Sequence, residues 1–74
     1  MYKLYTWYPW DFGRWVYRGE AKTKEKLFGG IKNKTKTTYK VVRDNVIEEY
    51  HEAPTSCFRY GMVRPKPVAV GNPA

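Results

Sequence analysis

The sequence predicts a mainly β protein: a small curved antiparallel sheet, or a partly closed barrel, of about five strands with a projecting basic hairpin. Three observations point there. Several short runs alternate strand-forming residues at period two. Gly, Pro, Asp and Asn punctuate the chain at short intervals. No stretch carries the 3.6-residue periodicity of a helix of three or more turns.

Tyr2 to Tyr8 is the first strand, with Tyr2, Leu4, Thr6 and Tyr8 alternating against Lys3, Tyr5 and Trp7. Pro9 ends it, and PWDFG reads as a turn in which Gly13 can take a positive φ. Arg14 to Arg18 is the second strand, with Trp15 and Tyr17 on one face. Thr37 to Val42 is a third, and Arg43, Asp44 and Asn45 form the turn after it. Residues 46–52 return as a strand or form one and a half turns of helix capped by Asp44 or Asn45, and Pro54 stops either. Thr55 to Val63 places Phe58, Tyr60 and Met62 at period two, the pattern of a half-buried strand. The expected core is Leu4, Trp7, Trp15, Tyr17, Tyr39, Val41, Phe58, Tyr60 and Met62. Residues 1–63 read as one β-rich domain. Residues 64–74, with Pro65, Pro67 and Pro73, read as an extended arm, packed at a sheet edge through Val68 and Val70 or loose.

With 74 residues, one domain fits, and its core is thin. Cys57 has no second cysteine to pair with, no apolar run reaches the roughly 18 residues of a membrane span, and MYKLYTWYPW lacks the pattern of a signal peptide. The expectation is therefore a cytoplasmic chain that does not act at a membrane.

Aromatics and charge are both uneven. Of 3 Trp, 7 Tyr and 3 Phe, eight lie before residue 18, which marks this end as folded and leaves more rings than so short a chain can bury. Between residues 22 and 40, Lys22, Lys24, Lys26, Lys32, Lys34, Lys36 and Lys40 face Glu25 alone. Between residues 44 and 52, Asp44, Glu48, Glu49 and Glu52 have no cation among them. The tail is basic again through Arg59, Arg64 and Lys66, and the net charge is +7.

The lysine segment reads as a hairpin turning at Gly29-Gly30 between Phe28 and Ile31. A two-residue loop opposes Glu25 to Lys34 and Phe28 to Ile31, and puts the lysines of the two strands on opposite faces. A three-residue loop opposes Lys26 to Lys34 and Lys24 to Lys36, which like-charge repulsion disfavours unless a polyanion binds there. The first register predicts an arm that is wet on both sides. The plain alternative is a soluble loop or a charged edge that blocks strand pairing.

No catalytic set emerges. Glu48 and His51 have a Glu-x-x-His spacing, but a carboxylate-bridged metal site needs two copies and further carboxylates. Cys57 with His51 lacks an orienting third group. No metal ligand set or cofactor signature is present, and Gly29-Gly30 with Lys32 has no helix start behind it to cradle a phosphate. The expected function is that of a non-enzymatic binding protein.

Two classes of partner stay open. In the first, an adaptor or inhibitor docks on an acidic surface of another protein through Lys22, Lys24, Lys26, Lys32, Lys34 and Lys36, with Trp10 and Phe12 as anchors and Arg14 and Arg18 beside them. In size, aromatic density and lack of motifs the chain resembles the small accessory proteins of tailed phages that bind and disable host machinery, which would place it in the host-cell cytoplasm. In the second, it binds nucleic acid without sequence preference, through the lysines and a stacking platform of Tyr5, Trp7, Trp10, Trp15, Arg14 and Arg18. Nine lysines against five arginines suit point-charge attraction better than base readout. An exposed edge strand with surplus aromatics also allows a homodimer.

Overall fold

A computed structural model describes residues 1–74. Four strands form a single antiparallel sheet in the order β2-β1-β3-β4: β1 is Tyr2–Tyr8, β2 Arg14–Ala21, β3 Tyr39–Arg43 and β4 Val46–His51. The protein is mainly β, as the alternating runs predict, and the sheet is open rather than closed into a barrel. No helix is long and apolar enough to cross a membrane.

β1 and β2 are a hairpin whose register runs from Tyr8↔Arg14 to Tyr2↔Ala21. A bulge between Leu4 and Tyr5 sets two residues, Arg18 and Gly19, where one would pair, and Gly19 takes φ +137° there. β3 and β4 are joined by Asp44 and Asn45 alone, at φ +53° and +61°. Both central residues are left-handed, which matches the twist of the strands, and Asp and Asn tolerate that region. Residues 46–52, open between strand and helix from sequence, resolve as β4 because this turn hands the chain directly back along β3.

One face of the sheet presents Leu4, Thr6, Tyr39 and Val41, and the connection from β2 to β3 crosses it. That connection carries a single helical segment, α1, Lys24–Phe28, whose Leu27 completes a core with Leu4, Tyr39 and Val41. Two buried hydroxyls are satisfied: on this side Thr6 Oγ1 accepts from Arg18 Nε at 2.7 Å, and at the start of β3 Thr38 Oγ1 accepts from the Ala53 amide at 3.0 Å. The other face carries Tyr5, Trp7, Trp15, Lys40, Val42, Ile47 and Tyr50, and Val68 of the tail lies beside Trp7 and Trp15. The chain end runs along β4: the Ile47 amide donates to Asn72, the Gly71 amide to Ile47 and the Ala74 amide to Asn45, all within 2.9 Å.

The projecting lysine hairpin is not formed. Gly29 sits in right-handed helical space at φ −58° and closes α1 rather than turning a hairpin. Residues 34–36 form one turn of 3₁₀ helix. The reason is Leu27: a helical turn swings it under the sheet at 7% exposure, whereas a two-stranded arm would leave it in water. The expected fifth strand is also absent. Thr55–Cys57 is a 3₁₀ turn and residues 58–63 are irregular, with Gly61 at φ +89°. The expected core is correct at Leu4, Tyr39 and Val41. Tyr17 and Tyr60 are exposed, Trp7, Trp15, Phe58 and Met62 are half-buried, and Leu27, Val42 and Ile47 are core residues in their place.

Candidate docking surface

The most unusual backbone in the protein lies in the turn from β1 to β2. Pro9 has no amide to continue the ladder, and the chain closes a turn in which the Gly13 amide donates to Trp10 O at 3.0 Å. Asp11, Phe12 and Gly13 are left-handed in succession, at φ +54°, +67° and +76°. Glycine is required at 13 by space as well as by φ: a Cβ would overlap Trp7 Cζ2 and lie 3.2 Å from Val63 Cγ1. Phe12 is a bulky residue in a region that costs an L-residue roughly 1–2 kcal/mol. The conformation leaves its ring 96% exposed.

A second turn lies against the first. The Val63 amide donates to Pro9 O at 2.8 Å, and Trp7 Nε1–H donates to Val63 O at 2.7 Å. The Trp10 indole lies over Gly61, where a side chain would come within 3.4 Å of it. Tyr60 stands wholly in solvent. One end of the sheet thus exposes Trp10, Phe12, Tyr60 and Val63, with Arg14 and Arg59 in the same turns. Trp, Tyr and Arg are the residue types that dominate binding energy at protein interfaces.

The predicted site residues divide into three groups. Trp10, Phe12 and Arg14 share this end, with the Arg14 guanidinium over the Tyr8 ring at 5.2 Å. Arg18, Lys26 and Lys32 line a groove between β2 and α1. Lys24 and Lys34 lie over aromatic rings, Lys24 Nζ 5.7 Å from the Tyr2 centroid and Lys34 Nζ 3.7 Å from that of Phe28, while Lys22 and Lys36 extend into solvent. No lysine takes part in an ion pair; the two pairs present are Arg43–Glu48 at 3.1 Å and Arg64–Glu52 at 3.4 Å. The lysines therefore have no direct ion-pair partner within the protein. Sequence reasoning missed Tyr60 and Arg59, and Gly61 was the available signal, since a glycine between an aromatic and Met62 breaks a strand.

The stacking platform is not assembled: Tyr5, Trp7 and Trp15 share one face of the sheet, Trp10 and Arg14 lie at the turn, and Arg18 lies on the other face. Trp7 meets Trp15 edge-on at 5.2 Å, Trp15 meets Tyr50 edge-on at 6.3 Å, and Tyr5 tilts against Tyr17 at 5.6 Å. Lys40 Nζ covers both Trp15, at 4.6 Å, and Tyr5, at 5.4 Å. Burial pulls the Lys40 ammonium below its ordinary pKa. Arg18 is on the opposite face from these rings, and Trp10 is in the turn.

The acidic segment is also used locally. Glu48 sits at the bulge in β4 and pairs with Arg43. His51 stacks on Tyr39 at 5.4 Å, and its Nδ1–H donates to the Thr37 carbonyl at 2.9 Å, since a carbonyl can only accept. Burial, and then the Glu49 carboxylate, push the Tyr39 phenol upward. Burial does the same at Tyr50, reinforced by Glu52 and opposed by Arg64. No group of three or more His, Cys, Asp or Glu side chains is placed to hold a metal ion. No protein-family model, no curated protein and no solved structure matches this chain.

Proposed function

We propose that this is a non-enzymatic binding protein, an adaptor or inhibitor, that docks on an acidic surface of another protein. The observation that carries the reading is the Asp11–Phe12–Gly13 turn. Three left-handed residues in succession hold a phenyl ring in water, at the end of the sheet that also exposes Trp10 and Tyr60. A backbone conformation of that cost, holding a ring that is 96% exposed at the mouth of a shallow pocket with Trp7, Trp15 and Val63, is accounted for by a contact made elsewhere. Burying Phe12 in a partner would contribute about 1.5–3 kcal/mol, and Trp10 a comparable amount. The unpaired lysines supply the other half of the mechanism, steering an acidic partner and raising the association rate more than the final affinity. Style of chain, size and lack of motifs fit a phage-type accessory protein acting against host machinery.

A second reading, sequence-nonspecific nucleic-acid binding, is favoured by one specific observation, the six unpaired lysines between residues 22 and 36. It is weakened by the edge-on packing of Trp7 against Trp15, by the tilt of Tyr5 against Tyr17 and by the lysine over Trp15 and Tyr5, which occupy the surfaces a base would stack on. Affinity capture of tagged protein with and without nuclease separates the two. A stoichiometric protein partner that survives nuclease and is lost in the Phe12→Ala/Trp10→Ala variant supports docking. Loss of all captured material on nuclease treatment, with the double variant behaving as wild type, overturns it.

A further inference from the structure

The cations of the groove between β2 and α1 are placed differently from the other cations of the surface. Arg18 is the extra residue of the β2 bulge, and its Nε–H is bound to the buried Thr6 hydroxyl at 2.7 Å. That bond fixes the guanidinium plane and leaves both Nη groups without any partner within the protein. Lys26 from α1 and Lys32 from the following loop line the same groove of about 630 Å³. Glu20 also lines it, but forms no ion pair with any of the three. Leu27 and Ile31 give the groove an apolar side, and Gly19, with no side chain and open space above it, keeps it clear. Arg18, Lys26 and Lys32 outnumber Glu20, the one acidic residue of the lining, so the groove carries a net positive charge that draws an anion.

We propose that this groove binds an extended segment of a partner protein in which a carboxylate is followed two residues later by an aliphatic side chain. The carboxylate meets the Arg18 Nη groups in the planar fork geometry that guanidinium favours, with Lys26 and Lys32 flanking, and the aliphatic group covers Leu27 and Ile31. The groove is lined on one side by β2, the outer strand of the sheet, and residues 14–21 make no backbone hydrogen bond beyond their pairing with β1. An extended segment therefore finds unpaired backbone donors and acceptors along that edge. A second copy of this chain is a poor occupant, since each copy carries +7. A nucleic-acid strand would leave the aliphatic side unused, and the one indole among the lining residues, Trp7, is held by Trp15 and Val63. The inference rests on the reading that the partner is an acidic protein, but uses a surface other than the Phe12 turn.

The test uses a fluorescein-labelled dodecapeptide of Glu-Thr-Val-Thr repeats, titrated by anisotropy, with a Glu-Thr-Ser-Thr peptide and a dT12 oligonucleotide as comparisons. The valine peptide is expected to bind at least about tenfold tighter than the serine peptide of equal charge, matching the loss of buried aliphatic groups. Arg18→Gln should weaken it about tenfold, Thr6→Val about threefold with the charge retained, and Arg59→Gln less than twofold. Urea unfolding of each variant excludes loss of fold as the cause, and amide shifts at Gly19 and Gly30 should follow the titration. Phe12→Ala should leave peptide affinity unchanged. Equal binding of the valine and serine peptides, an Arg18→Gln effect no larger than that of Arg59→Gln, or displacement by dT12 at the same charge concentration would each overturn the groove assignment. If Phe12→Ala weakens the peptide as much as Arg18→Gln does, the peptide sits on the turn, and the groove assignment fails while the docking reading stands. If partner capture ignores Phe12 and Trp10 while the groove results hold, the reverse is true.

Discussion

Replacing Gly13 by Ala adds one methyl group at the point where the two exposed turns are joined. The residue sits at φ +76°, and a left-handed L-residue costs roughly 1–2 kcal/mol. The added Cβ overlaps Trp7 Cζ2 and lies 2.9 Å from Cη2, so the indole must move, and overpacking of this kind costs roughly 1–3 kcal/mol. Moving the indole strains the Trp7 Nε1–Val63 O bond at 2.7 Å, whose loss adds about 1 kcal/mol. The sum is about 3–6 kcal/mol, against a total stability of about 4–11 kcal/mol for a chain of 74 residues. Gly29→Ala is the internal control. Gly29 is at φ −58°, its added Cβ would meet Lys26 O at 3.5 Å, and the change should stabilise by about 0.4–1 kcal/mol. Urea unfolding followed by tryptophan fluorescence reads both, with a slope of about 1 kcal/mol per molar for so small a protein. The Gly13→Ala midpoint should fall by about 3 M or more, or the protein should be unfolded in buffer, while Gly29→Ala rises by about 0.5 M. A Gly13→Ala midpoint within about 0.5 M of wild type would refute the account of the turn.

Three further outcomes are expected. Leu27→Ala removes the one buried side chain of α1 and should cost about 2–4 kcal/mol by urea unfolding, where a wet arm at 22–36 would give almost no change. Changing Lys24, Lys26, Lys34 and Lys36 together to Glu should abolish partner binding in a pull-down and also cost about 1–2 kcal/mol, because Lys24 and Lys34 leave the Tyr2 and Phe28 rings. Tyr39 and Tyr50 keep their protons in the folded state above the ordinary value of 10.0, so the folded state binds more protons than the unfolded one as pH rises past it, and stability falls there. Lys40 acts oppositely, its lowered pKa giving stability that rises as pH approaches 10.5. Thermal melts across alkaline pH should therefore show a fall above about pH 10 that shrinks in a Tyr39→Phe/Tyr50→Phe variant.

The strands were readable where local preference and burial agree. β1, β2 and β3 alternate strand formers, and Asp44-Asn45 allows only a tight turn between them and β4. The lysine segment was misread because two glycines serve hairpins and helix ends alike, and α1, at five residues, is too short for a periodic signal. The lysines fall at even positions, but that spacing has no strand beneath it. Phe58, Tyr60 and Met62 alternate as a strand would, yet their segment is held by hydrogen bonds to Pro9 and Trp7 rather than by a ladder. Leu27, Val42 and Ile47 entered the core because a crossing connection and a packed chain end cover the sheet, and neither contact is encoded locally. At the candidate docking surface, Trp10 and Phe12 were legible as surplus aromatics in a turn. Tyr60 was not, since its exposure depends on how residues 59–63 fold back on that turn.

The docking claim is tested most directly by the salt dependence of the affinity for the captured partner, measured for wild type and for Trp10→Ala. Lysines tracking phosphates would give a slope of log affinity against log salt of about −0.7 per contact, or about −3 to −4 for four to six contacts. Docking through buried aromatic anchors predicts a slope much shallower than that, and a loss of at least about 2 kcal/mol in the Trp10→Ala variant. A slope of −3 or steeper, roughly what four phosphate contacts give, together with unchanged Trp10→Ala affinity, would contradict the claim and assign the lysines to nucleic acid.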